Sequence, residues 1–535
     1  MVESWRHRVA RWLLQPTQPT QPQQRSGVRM YGGARNTRTT GNFGGSSSSA
    51  DAELHASLTT LRNRSRQMVR DSAYAKRARD IVVNNVIGSG VGLQAQVMTV
   101  RAELAQRVND DIESAWRQWC CAENCHTGGA LHFGDFERAA MGEVFTAGEV
   151  LIRLHFSAMG NSRVPLVLEL IEADRLASEF AQIPGSVDPG NEVRMGVEVD
   201  QYQRPVAYWL RQRHQGDIRP VTNGITDKLE RVPAEAVLHL RITTRWPQTR
   251  GEPWLHSVLR KLDDVNEYSQ HEITAARASA AYFATIKTPE PANSLPDDEE
   301  SDGKLVMDID PLTIQELRPG EELDFHTPNR PNSAFADFMR SMLREIAAGS
   351  ATSYESLSRD YSQSNYSSSR LALLDDRDTY KALQQWWVRS FREPLHRRWL
   401  QQAVLARAIP SIPVEAYAAD PVRYEAALFK CRGWSWIDPT KEVNAYKEAI
   451  RGGLTTLTDV IAATGGGMDI EDVITTRWRE LNALEAAGIE VDTTVTEPVV
   501  APAVPGAKPD AEPDADDPPA PARVVSLNVH GARTA

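Results

Sequence analysis

Two hydrophobic periods divide this chain. Over residues 52–70 and 73–86 apolar positions recur at three- and four-residue steps, which predicts two helices, the second broken by Gly88-Ser89-Gly90. A third helix is expected from Arg101 to Trp119, with Trp116 and Trp119 on one side. From 131 to 245 the period falls to two. EVLIRLHF (149–156), LVLELIEADRL (166–176) and AVLHLRI (236–242) each alternate apolar and polar residues, as half-buried strands do. RMGVEVDQYQRPVAYWLR (194–211) predicts a hairpin that turns between Asp200 and Pro205. The expected fold class is α+β with an antiparallel sheet domain.

Helical periodicity then returns. Pro253 suits a first helical position, and the pattern runs from Glu252 to Lys287 with Leu255, Val258, Leu259, Leu262, Val265, Ile273, Ala276, Ala280 and Phe283 as its stripe. Roughly 36 residues at 1.5 Å rise give ~54 Å, long for a globular helix. Its AARASAA end is made of small residues that let helices approach closely. Pro289, Pro291 and Pro296 close it, DDEESDG (297–303) is an acidic exposed tip, and residues 304–325 read as short strands around Pro319-Gly320. Asn332 is the expected cap of a second helix that stops at Gly349.

The segment SYESLSRDYSQSNYSSSRLALL (353–374) stands apart. It has no Pro or Gly, is too polar for a core, and lies between two strong helix patterns. Ser367 or Ser368 is the expected cap of the next helix, where Tyr380, Leu383, Trp387, Phe391, Leu395 and Trp399 recur at helical spacing. Pro394 falls inside that pattern and predicts a kink. Thr456 with Asp459, and Asp469 with Asp472, are expected helix caps further on. The two ends differ. Residues 1–50 hold one acid, Glu3, a possible basic amphipathic helix over Ser4–Leu14, a QPTQPTQPQQ repeat and a GNFGGSSSS linker. They read either as a disordered tail or as an arm that docks on a capsid or touches nucleic acid. Residues 491–535 are rich in Pro, Ala and Asp and read as disordered.

Charge and chemistry narrow the picture. The formal net charge is −11 over 535 residues, which argues against a clamp that grips nucleic acid by charge. A conduit has the opposite need, because a polyanion must slide through it. Four cysteines, three of them in CCAENCH (Cys120, Cys121, Cys125, beside His126), fit no common zinc spacing, and a structural role in a reducing compartment is expected. No stretch is long and apolar enough to span a membrane, and the start lacks a secretory signal. No phosphate-loop, nucleophile-elbow or HExxH motif is present, so neither a catalytic residue nor a cofactor or metal is assigned.

Several segments, in order along the chain, resemble those of the lambda-type tailed-phage portal proteins. They are RSRQMVRDSAYAKRARDIVVNNVIGSGVGLQ (64–94), GVEVDQYQRPVAYWL (196–210), RWPQTRGEPWL (245–255), SYESLSRDYSQSNYSSSR (353–370) and GWSWIDPTKE (433–442). Trp246-Pro247 departs from the family's usual Pro-Gly. The resemblance spans residues 55–485. It implies a portal-type subunit: a flexible basic arm (1–50), a wing (51–251), stem helices (252–287 and 332–349) around a small β clip (288–331), a channel loop (350–366), a long kinked channel helix (367–408), a return to the wing (409–439), a helical crown (440–490) and an acidic tail. It implies a dodecameric ring at one capsid vertex of the virion, assembled in the host cytoplasm, through which double-stranded DNA is packaged and ejected. The implied partners are further copies of the chain, the major capsid protein, scaffold, the large terminase and a head-tail connector protein.

On this resemblance the segment 353–369 projects into the channel. Tyr361, Ser362, Gln363, Asn365, Tyr366 and Ser367 would offer neutral donors to phosphates, with Arg359 and Arg370 at the edges and Asp360 in reach of either arginine. A packing role for Tyr361 and Tyr366 between subunits is the alternative. Asp297, Asp298, Glu299, Glu300 and Asp302 would form the clip tip that faces terminase or connector. Two other classes remain open. A hydrolytic enzyme would carry a pocket of perturbed carboxylates, and a tail or baseplate ring protein would lack a central helical barrel.

Overall fold

The structure, a computed structural model, describes residues 47–99, 105–180, 190–217, 228–281, 284–287, 322–325, 334–434, 439–464 and 470–486. The chain divides into two compact units, 1–470 and 471–535.

The first unit opens with α1 (Ala50–Asp71), whose N-terminus is capped by the Ser49 hydroxyl accepting from the Ala52 amide. Its buried positions Leu54, Leu58, Arg62, Ser65 and Met68 recur at helical spacing, and the charged residue among them is a first sign of a polar core. Next come α2 (Ala73–Val86), strand β1 (Gly92–Ala95), α3 (Gln106–Trp119) and α4 (Phe133–Ala147). The third helix is shorter than its sequence pattern suggested, since residues 101–104 lie outside the described set. Strands β2 (Glu149–His155), β3 (Val167–Ile171), β4 (Glu192–Arg194), β5 (Val197–Val199), β6 (Pro205–Arg211), β7 (Leu229–Pro233) and β8 (Val237–Arg241) follow. They form two antiparallel sheets, β3-β2-β8 and the meander β4-β5-β6-β7. The predicted strand over 166–176 ends at Ile171, where Ala173–Arg175 turn into a 3-10 helix. The hairpin turns at Asp200, whose carboxylate accepts from the amides of Tyr202 and Arg204.

The long helix predicted over 252–287 is corrected. Pro253 caps a 3-10 turn, Trp254–Ser257, and helix α5 runs Leu259–Ala281. At 23 residues it spans ~35 Å rather than ~54 Å. Strand β9 (Ala284–Lys287) takes over its predicted end and pairs antiparallel with β10 (Glu322–Phe325). Helix α6 (Phe335–Gly349) then returns along α5. Tyr268 stacks on Phe335 and meets Phe338 edge-on, at 5.7 and 4.8 Å, and Lys261 pairs with Glu345. Asn332 lies outside the described residues, and Ala334 occupies the cap position. Gly349 is required by packing: a Cβ there would sit 2.3 Å from Cγ1 of Val258.

The one-turn helix α7 (Tyr354–Ser358) interrupts the predicted loop, and α8 (Tyr366–Trp387) follows. Its cap is Asn365, not Ser367 or Ser368. The Asn365 side chain accepts from the Ser368 amide at 2.8 Å and the Ser368 hydroxyl accepts from the Asn365 amide at 3.2 Å. Five residues of π-helix (Val388–Arg392) lead into α9 (Glu393–Leu405). The expected kink at Pro394 therefore takes the form of a wide turn just before it, which leaves the proline in a first turn where no amide is needed. Strand β11 (Ala427–Lys430) pairs with β1, so the chain returns to its own start. Helices α10 (Pro439–Arg451), α11 (Leu457–Thr464) and α12 (Ile470–Ala486) close the described chain. Thr456 and Asp459 cap α11 reciprocally, as read from the sequence, while Asp469 lies outside the described residues.

The core of the first unit is built where the long helix crosses the sheet domain. Trp116, Trp119, Phe133, Phe136, Trp387, Phe391 and Trp399 are all buried there, and Trp116 and Trp399 meet edge to face at 4.9 Å. Burying each such ring stabilises the fold by about 1.5–3 kcal/mol. This cluster fixes the second half of the long helix and hence where its first half points.

Candidate functional site

Between α6 and α8 the chain makes a tight polar loop. Ser353 caps α7 and donates its hydroxyl at 2.6 Å to Oδ2 of Asp376, which lies about three turns along α8 from Tyr366. From the other side Arg77 of α2 donates Nε to the Ser356 carbonyl at 3.2 Å. Helix α7 ends at Arg359, whose φ of +58° places it in the left-handed region and reverses the chain. Asp360 then turns back on its own loop. Its Oδ2 accepts from the Tyr354 hydroxyl at 2.9 Å, and its Oδ1 from the amide and hydroxyl of Ser362 at 3.0 and 2.6 Å. The bonds from Ser362, with the one from Tyr354, pull the Asp360 carboxyl down to about 2. The expected pairing of Asp360 with Arg359 or Arg370 is replaced by these hydroxyl contacts.

The loop residues fall into two groups. Ser362 and Asn365 are engaged, the one with Asp360 and the other in capping α8. Tyr361 is 59% exposed, and Arg359, Gln363 and Ser367 are exposed as well. Arg370 is half-buried, one turn into α8. Tyr366 is the first residue of α8. Asp297, Asp298, Glu299, Glu300 and Asp302 lie outside the described residues.

Two buried charge clusters tie together the sheets and helices of the first unit. In the first, Glu149 at the start of β2 is fully buried and accepts from four partners: Arg62 of α1 (2.9 Å), Arg250 (2.6 and 2.7 Å), His239 of β8 (2.9 Å) and the Gly251 amide (2.8 Å). Burial alone would raise its pKa, but the facing Arg250, His239 and Arg62 hold it well below the usual carboxylate range. His239 goes the other way, down to about 4, because burial and the nearby Arg241 disfavour its charged form. Arg250 also donates to the Ser178 hydroxyl and to the carbonyls of Met195 and Ala173. The QTRGEP segment thus has a structural reason. Arg250 ties four chain segments together, and Gly251 must be glycine because a Cβ would lie 2.1 Å from the Gly148 carbonyl.

In the second cluster Glu137 of α4 accepts from the Val91 amide (2.9 Å), Trp387 Nε1 (3.1 Å) and Arg392 (3.4 Å). The Arg392 guanidinium lies 4.9 Å from the rings of Trp116 and Phe133 and 5.3 Å from Phe429. It sits in the π turn, so the wide turn carries a buried cation into an aromatic cage. Burial pushes the Cys125 thiol up to about 12 and Cys431 to about 11, in keeping with structural cysteines. Sequence reading missed both clusters. Spacings of 87 and 101 residues from Glu149 to Arg62 and Arg250 leave no local pattern.

Among the described residues one group has metal-like spacing, Glu172, Asp174 and His214. Asp174 is already paired with Arg62 and Arg66, which disfavours a cation there. No described helix is long and apolar enough to cross a membrane.

With this geometry in hand, comparison with known proteins gives a consistent result. Residues 36–384 match the family described as phage portal protein, lambda family. The chain is 29% identical over 489 residues to a probable portal protein of Halomonas phage phiHAP-1, covering 88% of this chain and 90% of the relative. It is 23% identical over 483 residues to portal protein B of Escherichia phage lambda, covering 83% and 87%. Among solved structures it is similar to a chain in the neck of a native gene transfer agent particle computed with C12 symmetry. That match has a TM-score of 0.39 and 12% identity, covering 75% of this chain and 93% of that one. A portal protein of the HK97 family from Corynebacterium diphtheriae matches with a TM-score of 0.30 at 12% identity, covering 70% and 96%.

Proposed function

The chain belongs to the lambda family of phage portal proteins, and from that premise we propose that it forms a dodecameric ring at one capsid vertex and conducts double-stranded DNA. It works as a structural conduit rather than as an enzyme. The ring docks the large terminase during packaging and a head-tail connector afterwards, with the acidic 297–302 segment facing them. Scaffold and the major capsid protein surround it during assembly.

The observation that carries the channel reading is the loop 353–364. It holds itself in shape through buried or self-directed carboxylates, yet leaves Tyr361 and Gln363 exposed at its crest. A phosphate backbone passing such a ring meets neutral donors that bond and release at low cost, whereas lysines would hold it. Arg359 supplies one positive charge per subunit beside them. The acidic balance of the chain suits a bore through which DNA must slide without being clamped by charge.

The test is the double substitution Tyr361→Ala with Gln363→Ala. Asn365 is a poor target, since it caps α8 and its loss would unsettle the helix. Ring assembly should be unchanged, and DNA retention in filled heads should fall by about tenfold or more. Normal packaging and retention in the double variant would contradict the channel-loop assignment.

A further inference from the structure

Resting on the channel-loop reading above, we propose that Asp360 and Asp376 are positioning residues that present Tyr361 and Gln363 to the bore. Leu357 anchors the base of the loop in the core with Tyr354 packed against it, but the crest from Arg359 to Ser364 buries little apolar surface to offset the entropy of ordering, about 1–2 kcal/mol per residue. Something else must fix it, and here two carboxylates do so at different places.

Asp376 holds the base. It is 8% exposed on the inner face of α8 and accepts both the hydroxyl (2.6 Å) and the amide (3.3 Å) of Ser353. The Ser353 hydroxyl also lies 2.8 Å from that of Ser356, so the first turn of α7 is tied to the long helix.

Asp360 holds the crest. It commits one oxygen to Tyr354, before the crest, and the other to Ser362, after it. Tyr361 lies between, with its backbone fixed on both sides and its ring outside. The Ser364 amide and hydroxyl both donate to the Tyr361 carbonyl, at 3.2 and 2.9 Å, and complete the turn. Tyr354 is itself steadied from α6, where the Arg344 guanidinium lies 5.5 Å from its ring. Bonds to an ionised acceptor are roughly twice as strong as neutral ones, which is why a carboxylate suits this place. The left-handed Arg359 is the reversal that lets Asp360 face Tyr354.

Hydrogen exchange on the full chain, followed by DNA retention, tests this. In Asp360→Ala and Tyr354→Phe the amides of 359–364 should exchange about tenfold faster, while those of 366–387 stay unchanged. Asp376→Ala should loosen 353–358 instead. Asp360→Asn keeps an acceptor for Ser362 and should restore most of the protection. In filled heads Asp360→Ala should lose DNA as Tyr361→Ala does, with no further loss when the two are combined. Unchanged exchange in both Asp360→Ala and Tyr354→Phe overturns the proposal, as do additive losses in the combined variant. Faster exchange with full DNA retention overturns the channel reading itself and leaves Asp360 a structural residue only.

Discussion

The Glu149 cluster and the 353–364 loop both arrange several polar groups around a carboxylate, and they do opposite things with them. Around Glu149 the surroundings are dry, the partners are arginines and a histidine, and the groups come from segments far apart in the chain. Around Asp360 the surroundings are wet, the partners are hydroxyls, and all come from within nine residues. A buried carboxylate needs cations to stay charged, and those cations then lock distant segments together. A half-buried carboxylate at the surface, as Asp360 is, stays charged without a cation, so it can be used for local shape, leaving neighbouring side chains free. The first arrangement makes a rigid frame. The second makes a surface.

The largest effect should come from breaking the frame. Glu149→Ala leaves Arg62, Arg250 and His239 buried without their acceptor, and should cost about 3–5 kcal/mol. Loss of soluble, folded protein or a large drop in denaturation midpoint is the expected result. A near-neutral outcome would mean water reaches this site freely.

The frame should also respond to acid where the loop does not. Burial holds His239 of the frame down to about 4, and holds His396, buried on α9 against Trp116 and Trp399, down to about 3, both below the unfolded value near 6.5. As pH falls below 6.5 the unfolded chain takes up protons that the folded chain refuses, so stability is lost on going down through 6.5 toward 4. His239 alone contributes a loss on the order of 3 kcal/mol over that window. Glu149, with its depressed pKa, adds a further loss only below the ordinary carboxylate range. Denaturation midpoints from pH 7 to 4 should fall, and His239→Gln should flatten the slope. Asp360, already charged down to about 2, should hold the loop's exchange pattern constant across the same range.

Smaller effects probe the joints between the two. Gly349→Ala forces a methyl against Val258 where α6 meets the start of α5, and should cost about 1–3 kcal/mol in thermal stability. Asn365→Ala removes the cap of α8 and should cost about 1 kcal/mol, seen as faster amide exchange confined to the first turn.

The contrast also explains what could be read from the sequence. Period-two segments gave β2, β3, β5, β6 and β8, and period 3.6 gave most helices, because one-sided burial leaves a local trace. The first long helix was overextended at both ends: Leu255 and Val258 carry the apolar stripe back into what is a 3-10 turn, and Phe283 carries it on to the point where pairing of β9 with β10 takes over. Ser367 or Ser368 is the cap of α8 that the sequence suggests, but only the backbone shows that the helix starts earlier, with Asn365 as its cap. The loop was legible as a polar anomaly with a familiar order of residues. The division of its side chains into holders and presenters was not, since Ser362 and Ser367 look alike until Asp360 is seen to bind one of them. The two buried clusters left no trace, because their partners meet only after folding.

The central claim is that residues 353–364 line the bore of a ring. Electron cryomicroscopy of the purified full-length chain tests it most directly. The account predicts a twelve-fold ring with an open bore, with Tyr361 and Gln363 of every subunit facing that bore. A ring in which these residues face outward or lie buried between subunits, or a chain that forms no ring with or without scaffold, would contradict it.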